Sequence, residues 1–230
     1  MNIACITYRD WAIDIYDKIY DNYKDEHNFL IWREKDNFDA SLLKEFKPDL
    51  ILWYGWSWIV EETFVNDYES IMLHPSPLPK YRGGSPIQNQ IINGEKIGAV
   101  SLFRMNEGLD KGDIYQQLPM SLTGTLDDIF RRISDLGFAA TCNIIDGKYN
   151  LKQQDHSQST YFKRRGPKSS EITKEELESK TIEYLYNKIR MLASPYPNAY
   201  IIIQGFKFHF KTVQKSLNDS LTSEVTIEKI

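Results

Sequence analysis

The sequence predicts an α/β fold: a mostly parallel sheet with helices on both faces, then a small C-terminal helix and β-hairpin lobe. Three observations predict it. Short apolar runs alternate with amphipathic stretches through the first half, at lengths that suit strands and helices. Near Asn150 the chain turns polar and basic. Its 230 residues, 41% hydrophobic and 26% charged, have an ordinary globular composition and are enough for a main domain with an appendage. The division expected is 1–150 and 151–230.

Asn2–Thr7 reads as a first strand, apolar enough to be buried on both faces. Asp10 is placed to cap a helix whose Trp11, Ile15, Ile19 and Tyr23 form one stripe at four-residue spacing. Phe29–Trp32 is a second strand, Asp39–Phe46 a short helix, and Pro48-Asp49 introduces the strand Leu50–Tyr54. Val60–Tyr68 reads as helix and Ser70–His74 as the next strand. This succession, with short connections, is Rossmann-like. Ser85, Pro86 and Gly94 stand where a helix N-cap, first residue and stop belong. Ala99–Met105 and Asp113–Leu118 are strands, and Thr125 caps a long helix with Asp127 and Asp128 in its first turn. Thr173 and Glu176 have capping-box spacing and open a helix running to about Leu192. Ala199–Ile203, Gln204-Gly205 and Phe206–Val213 read as a hairpin, with the last dozen residues a loosely packed tail.

Charge and composition exclude several functions. A formal net charge of −4 gives no excess of cations to displace phosphate counterions, so no nucleic acid partner is expected. The longest uncharged runs, Leu50–Val60 and Met191–Phe206, are too short or too polar to span a bilayer, so no membrane partner is expected either. The N-terminus lacks the basic start of a signal peptide, which points to a cytoplasmic location. Cys5 and Cys142 form neither a disulfide framework nor a zinc site, and no metal is expected.

The informative stretch follows His74. His74-Pro-Ser-Pro-Leu-Pro79-Lys-Tyr-Arg82-Gly-Gly-Ser-Pro86 places a histidine at the carboxyl end of a strand, where parallel α/β folds bind ligands. Its prolines resist helix formation, and Gly83 and Gly84 let backbone approach a ligand closely. Lys80 and Arg82 suit an anionic group.

This loop, continued through Ile87-Gln88 and Asn93-Gly94-Glu95, resembles the signature of the folate-dependent formyltransferases. Leu109-Asp110-Lys-Gly-Asp113-Ile matches that family's second motif, and Tyr186-Asn-Lys-Ile-Arg190 and Pro195-Tyr-Pro-Asn-Ala199 extend the likeness. The resemblance implies acyl transfer from 10-formyltetrahydrofolate to a primary amine. It assigns His74 to polarise the formyl oxygen and assist proton transfer, with Asp110 orienting or polarising the imidazole and an active-site water. The family's asparagine two residues before the histidine is Met72 here, and a thioether donates no hydrogen bond. Losing such a donor costs about 2.7–4 kcal/mol of transition-state stabilisation. Three outcomes stay open: a backbone N–H substitutes, His74 carries the oxyanion alone, or catalysis is lost.

For the folate, the resemblance implicates the strand end Gly55, Trp56 and Ile59, the Leu78-Pro79 pair, and Met105, Asn106 and Leu109 before Asp110. Trp53 is expected in the core. Among formyltransferases the chain is closest to the sugar-nucleotide enzymes, because it is acidic and stops soon after one hairpin. The expected acceptor is a nucleotide-linked amino sugar, such as a dTDP- or UDP-4-amino-4,6-dideoxy sugar. Its candidate contacts are Ser76, Lys80, Tyr81, Arg82, Gly83, Gly84 and Gln88, with Lys163, Arg164 and Tyr161 on the diphosphate and base. Arg190 reads as structural. A homodimer through the C-terminal lobe is expected. The alternatives are an impaired folate- or nucleotide-binding protein and a methionyl-tRNA formyltransferase-like enzyme.

Overall fold

The computed structural model describes Met1–Ile230. At its centre β1 (Asn2–Ile6) lies between β2 (Asn28–Trp32) and β3 (Leu50–Leu52), parallel to both. β4 (Ser70–His74) continues the parallel run from β3. After a two-residue strand β5 (Arg82–Gly83), β6 (Ile97–Arg104) pairs antiparallel with β4, and β7 (Ile114–Ser121) completes the order β2-β1-β3-β4-β6-β7. The mostly parallel sheet is flanked by helices, as the alternation of runs requires.

The connecting helices are α1 (Asp10–Tyr23), α2 (Ala40–Phe46), α3 (Glu62–Asn66), α4 (Pro86–Ile92) and α5 (Leu126–Ile145). α1 buries Ala12, Ile15, Tyr16, Ile19 and Tyr23, the stripe its spacing dictates. Asp10 is inside this helix rather than capping it. The cap is Arg9, which makes no side-chain bond, and its carbonyl takes the N–H groups of Ala12 and Ile13. Asp39 does cap α2, accepting from Ser41 and Leu42. α3 is shorter than the apolar pattern suggested. Ser85 precedes α4 in left-handed conformation without capping it, because its hydroxyl instead accepts the Arg165 N–H. Thr125 and Asp128 exchange side-chain bonds at the start of α5.

The chain divides into two compact units. The first comprises 1–82, 98–121 and 130–161, and the second 83–97, 122–129 and 162–230. In the first, Ala4, Ile6, Trp32, Leu43, Ile51, Trp53 and Phe64 form a buried cluster, so Trp53 is core as expected. Each of its Ile, Leu and Phe side chains contributes roughly 1.5–3 kcal/mol through burial. Tyr16 ties α1 to the sheet: its hydroxyl donates to the Leu52 carbonyl and accepts the Tyr54 N–H. Cys5 is buried and Cys142 half-buried; both are free thiols.

The second unit contains α6 (Lys174–Ser179), α7 (Ile182–Arg190), β9 (Ala199–Ile203), β10 (Phe206–Lys215) and β11 (Leu221–Lys229), after a short β8 (Tyr161–Phe162) at its edge. Two expectations are corrected here. The helix from Thr173 is two helices, because Thr181 starts a second one by accepting from Tyr184 N–H. The tail is a strand: β11 pairs antiparallel with β10, with a bulge between Phe210 and Val213. The capping box of Thr173 and Glu176 is present. Arg190 is structural, its guanidinium donating to the carbonyls of Leu122 and Gly124 and to Asn187. No helix is long and apolar enough to cross a membrane.

Lys188, buried on α7, is held by both carboxylate oxygens of Glu176 at 2.6 Å and by the Glu171 carbonyl. Burial opposes the Glu176 charge, but bonds from Lys188, Tyr184 and Thr173 outweigh it and hold the carboxyl below its usual range. A depressed carboxyl stabilises the fold at neutral pH, and that contribution is lost progressively as pH falls from about 4.5 through the lower value of the folded state. Lys188→Met should therefore cost about 3–5 kcal/mol in urea unfolding at pH 7, and clearly less at pH 3. The double variant Glu176→Leu/Lys188→Met should recover most of the loss.

Candidate active site

The site is built on two loops of the first unit. His74 is the last residue of β4 and leads into a segment fastened largely by its own backbone. Ser76 N–H donates to the His74 carbonyl, Leu78 N–H to Ser76, and Lys80 N–H to Pro77. The Ser76 hydroxyl, fully buried, donates to the Lys80 carbonyl. Gln117 holds the Leu78 carbonyl, and Ser101, opposite His74 on β6, donates to the Ser76 carbonyl. Leu78-Pro79 is cis. Tyr81 takes φ +60 and gives its N–H to Thr160 Oγ1 at 2.8 Å.

That turn points the Tyr81 carbonyl at the imidazole. His74 Nε2 lies 2.7 Å from it. A carbonyl only accepts, so Nε2 carries the proton and Nδ1 is the remaining working nitrogen. Nδ1 stands 3.8 Å from Asp110 Oδ2, with the two side chains 8% and 11% exposed. A neutral Nδ1 and a carboxylate are both acceptors, so the pair attracts only once Nδ1 is protonated or a water supplies the proton between them. The Tyr81 carbonyl holds the imidazole at Nε2, a partner the sequence did not point to, and Asp110 stands on the other side of the ring at Nδ1. The carboxylate sits at the nitrogen that the loop leaves uncommitted.

Asp110 reaches that position by an indirect route. β6 runs antiparallel to β4, so Arg104 stands opposite Ile71, three residues back from His74. Residues 105–113 must fold back toward His74, and the turn shows it: Asp110 has φ +53, and Lys111 N–H donates to the Gly108 carbonyl. Gly112 is obligatory, because a Cβ there would lie 1.6 Å from the Arg104 carbonyl oxygen. Gln154 donates to the carbonyls of Asp110 and Gly112 at 3.0 and 2.7 Å.

Arg82 is buried, and its Nη2 donates to Gln154 Oε1 at 2.6 Å and His156 Nδ1 at 2.8 Å. Burial pushes its guanidinium below the ordinary value, and the nearby Asp110 charge works against that. Its Nε has no partner. With Leu109, Lys111, Ser159, Thr160 and Tyr161, Arg82 lines an open cleft of about 480 Å³. Gln154, His156, Lys111 and Thr160 were not singled out in the sequence. They lie in polar stretches whose composition does not distinguish them from solvated loop.

The remaining expected residues fall out as follows. Met72 lies among Leu78, Phe103 and Ile114, an apolar surround on the His74 side of β4, two residues away. Trp56 and Met105 are half-buried against the core, Ile59 is fully exposed, and Asn106 and Leu109 are exposed. Gly55 has φ +69 at the carboxyl end of β3, before Trp56. Lys80 and Tyr161 are exposed. Ser76 spends its hydroxyl inside the loop, so it serves the loop and not an acceptor, a correction to its expected contact. In the second unit, Gly83 is at φ +89 and Gln88 is buried with Nε2 unpartnered. Gly84 admits chain rather than ligand: a Cβ would lie 2.4 Å from the Arg164 backbone. This corrects the ligand approach expected of that glycine. Lys163 and Arg164 are exposed.

Comparisons with known proteins agree with this geometry. A family model described as formyl transferase matches residues 18–145, and one described as methionyl-tRNA formyltransferase, C-terminal domain, matches 167–228. The methionyl-tRNA formyltransferase of Ehrlichia ruminantium (strain Gardel) is 28% identical over 187 residues, 79% of this chain. The chain spans 59% of that relative's length. A solved methionyl-tRNA formyltransferase from Clostridium thermocellum superposes with TM-score 0.91 at 30% identity, over 100% of this chain and 99% of that one. A sugar N-formyltransferase from Shewanella sp FDAARGOS_354 shares the fold at TM-score 0.71 and 17% identity, over 92% and 97%. With its first motif opening on a buried histidine, its second folded back to meet it, and more than half its length matched, the chain belongs to the formyl transferase family.

Proposed function

We propose that this protein transfers the formyl group of 10-formyltetrahydrofolate to the primary amine of a nucleotide-linked amino sugar. The observation that carries the transfer is the approach of Asp110 to the one available nitrogen of His74. The neutral amine attacks the formyl carbon, and the carbonyl π pair moves onto oxygen. A proton passes from the amine toward the Asp110 and His74 pair. The C–N bond to the carrier then breaks, and that nitrogen takes a proton, giving a formamide and tetrahydrofolate. Family membership supports a folate-derived donor. Exposed Ile59 and Leu109 are apolar groups still without cover.

The acceptor reading rests on charge. The whole chain is net negative, and several lysines of the second unit are matched by acids: Lys174 by Glu178, Lys188 by Glu176, Lys211 by Glu224, Lys215 by Glu183. The cations outside these pairs, Lys163 and Arg164 among them, are few for a long polyanion, whereas one diphosphate needs only two or three. A second reading, methionyl-tRNA as acceptor, is favoured by the match of residues 167–228 and the names of the relatives. We also propose a homodimer through the second unit. The β9-β10-β11 register puts Ile203, Phe206 and Ile227 on one face, all exposed, and the same patch on two copies can pair about a twofold axis.

Formyl transfer to a panel of dTDP- and UDP-amino sugars should show turnover. His74→Ala should lower kcat by about 10²–10⁴-fold, and Asp110→Asn should also lower it with little change in KM. Met72→Asn, which restores a donor on the same face, should raise kcat by as much as ~10²-fold; unchanged kcat would mean the oxyanion is already served. Binding to initiator tRNA should be weak and nearly salt-independent, whereas the second reading requires a steep fall between 50 and 200 mM salt. Ile227→Asp should convert a dimer to monomer in sedimentation, and a wild-type monomer would remove the dimer.

A further inference from the structure

We propose that Gln154 and Arg82 are positioning residues that fix the separation of His74 and Asp110. The inference rests on the formyl-transfer reading for its functional meaning, but its geometry stands alone. The two reacting side chains come from loops with no reason to stay in register. His74 is aimed by the Tyr81 carbonyl, within the loop 74–82. Asp110 stands on a segment that starts three residues back along β4 and returns through a left-handed turn.

One amide spans them. The Gln154 Nε2 has two hydrogens and spends them on the carbonyls of Asp110 and Gly112, clamping the turn on both sides of Lys111. Its Oε1 accepts from Arg82, the residue directly after Tyr81. The path Tyr81, Arg82, Gln154, Asp110 therefore joins the group that aims the imidazole to the group it must meet. Both polar atoms of the Gln154 side chain are used, and the residue is buried. His156 Nδ1 takes the other Arg82 Nη2 hydrogen and stops the guanidinium from turning away. Six residues beyond Gln154, Thr160 grips the same loop from the other side: Oγ1 takes the Tyr81 N–H and its carbonyl takes the Arg82 N–H. The segment 154–160 thus holds both loops.

A scaffold role alone would affect folding without touching the dyad. The test is made on the full chain with Gln154→Met, which keeps length but removes all three bonds. Gln154→Glu is the second variant; it keeps an acceptor for Arg82 while setting an oxygen against two carbonyls, and it covers the case in which the first does not fold. Each is assayed with 10-formyltetrahydrofolate and the best amine of the panel, and each is crystallised. Expected is a fall in kcat of about 10²-fold with both KM values within threefold, and a His74 Nδ1 to Asp110 Oδ2 separation longer by more than about 0.5 Å. Wild-type kcat in a folded variant overturns the proposal, as does a fall in kcat with the separation unchanged. Should the unsubstituted protein turn over no amine, the formyl-transfer reading fails by itself. The crystallographic separation then still decides: a lengthened gap supports the positioning role and an unaltered one overturns it.

Discussion

The hydrogen bond from His74 Nε2 to the Tyr81 carbonyl is the constraint on which the site depends. It commits Nε2 and its proton to the loop, and leaves Nδ1 as the nitrogen that faces Asp110. The bond exists only because the chain after β4 curls back on itself within seven residues. That path needs Tyr81 in the left-handed region, unfavourable for a bulky side chain unless its surroundings compel it. Here they do. Thr160 takes the Tyr81 N–H, the ring is buried, and the carbonyls upstream are bonded to Gln117, Ser101 and the Ser76 hydroxyl.

The antiparallel insertion of β6 sets the second constraint. Had β6 run parallel to β4, its carboxyl end would lie beside His74 and a short turn could present a carboxylate. Because it runs the other way, the segment carrying Asp110 must travel back. Gly112, against the Arg104 carbonyl, and the Gln154 amide are what that return requires. The hydrogen bonds of Gln154 and Arg82 are therefore consequences of sheet topology as much as of chemistry.

Much of this was legible in the sequence, for identifiable reasons. The strands announce themselves because Asn2–Ile6, Leu50–Leu52 and Ser70–His74 are dense in branched apolar residues, and α1 because its stripe is regular. His74 and Asp110 stood out through their motifs. What failed was information carried by distant partners. Ser85 has the right identity for a cap, yet its hydroxyl serves Arg165, eighty positions away. Leu221–Lys229 alternates Leu221, Val225 and Ile227 with Thr and Glu, a strand pattern that was readable, and β10 supplies the edge it pairs with. Gln154 and His156 sit in a polar stretch with no periodicity, and nothing local marks a glutamine whose three bonds all reach across the fold. The break between α6 and α7 was readable in principle, since Thr181 is a competent cap, but the apolar period ran through it.

Commitment of Nε2 to Tyr81 also sharpens the question raised by Met72. Formyl transfer needs a donor for the developing oxyanion and an acceptor for the amine proton. With Nε2 engaged, His74 offers one nitrogen, and Nδ1 cannot donate and accept at the same instant. An asparagine at position 72 would divide the labour by taking the oxyanion. Methionine, in a surround of Leu78, Phe103 and Ile114, cannot. If His74 is protonated at Nδ1, it becomes the oxyanion donor, and the proton of the amine must then go to Asp110, directly or through a water. The 3.8 Å gap between Nδ1 and Oδ2 leaves the two groups close enough for mutual charge stabilisation yet not locked in a direct bond. Each can then serve a different atom of the tetrahedral intermediate. In that arrangement Asp110 is the base and His74 the electrophile, and their separation, rather than the chemistry of either alone, determines whether both can act together.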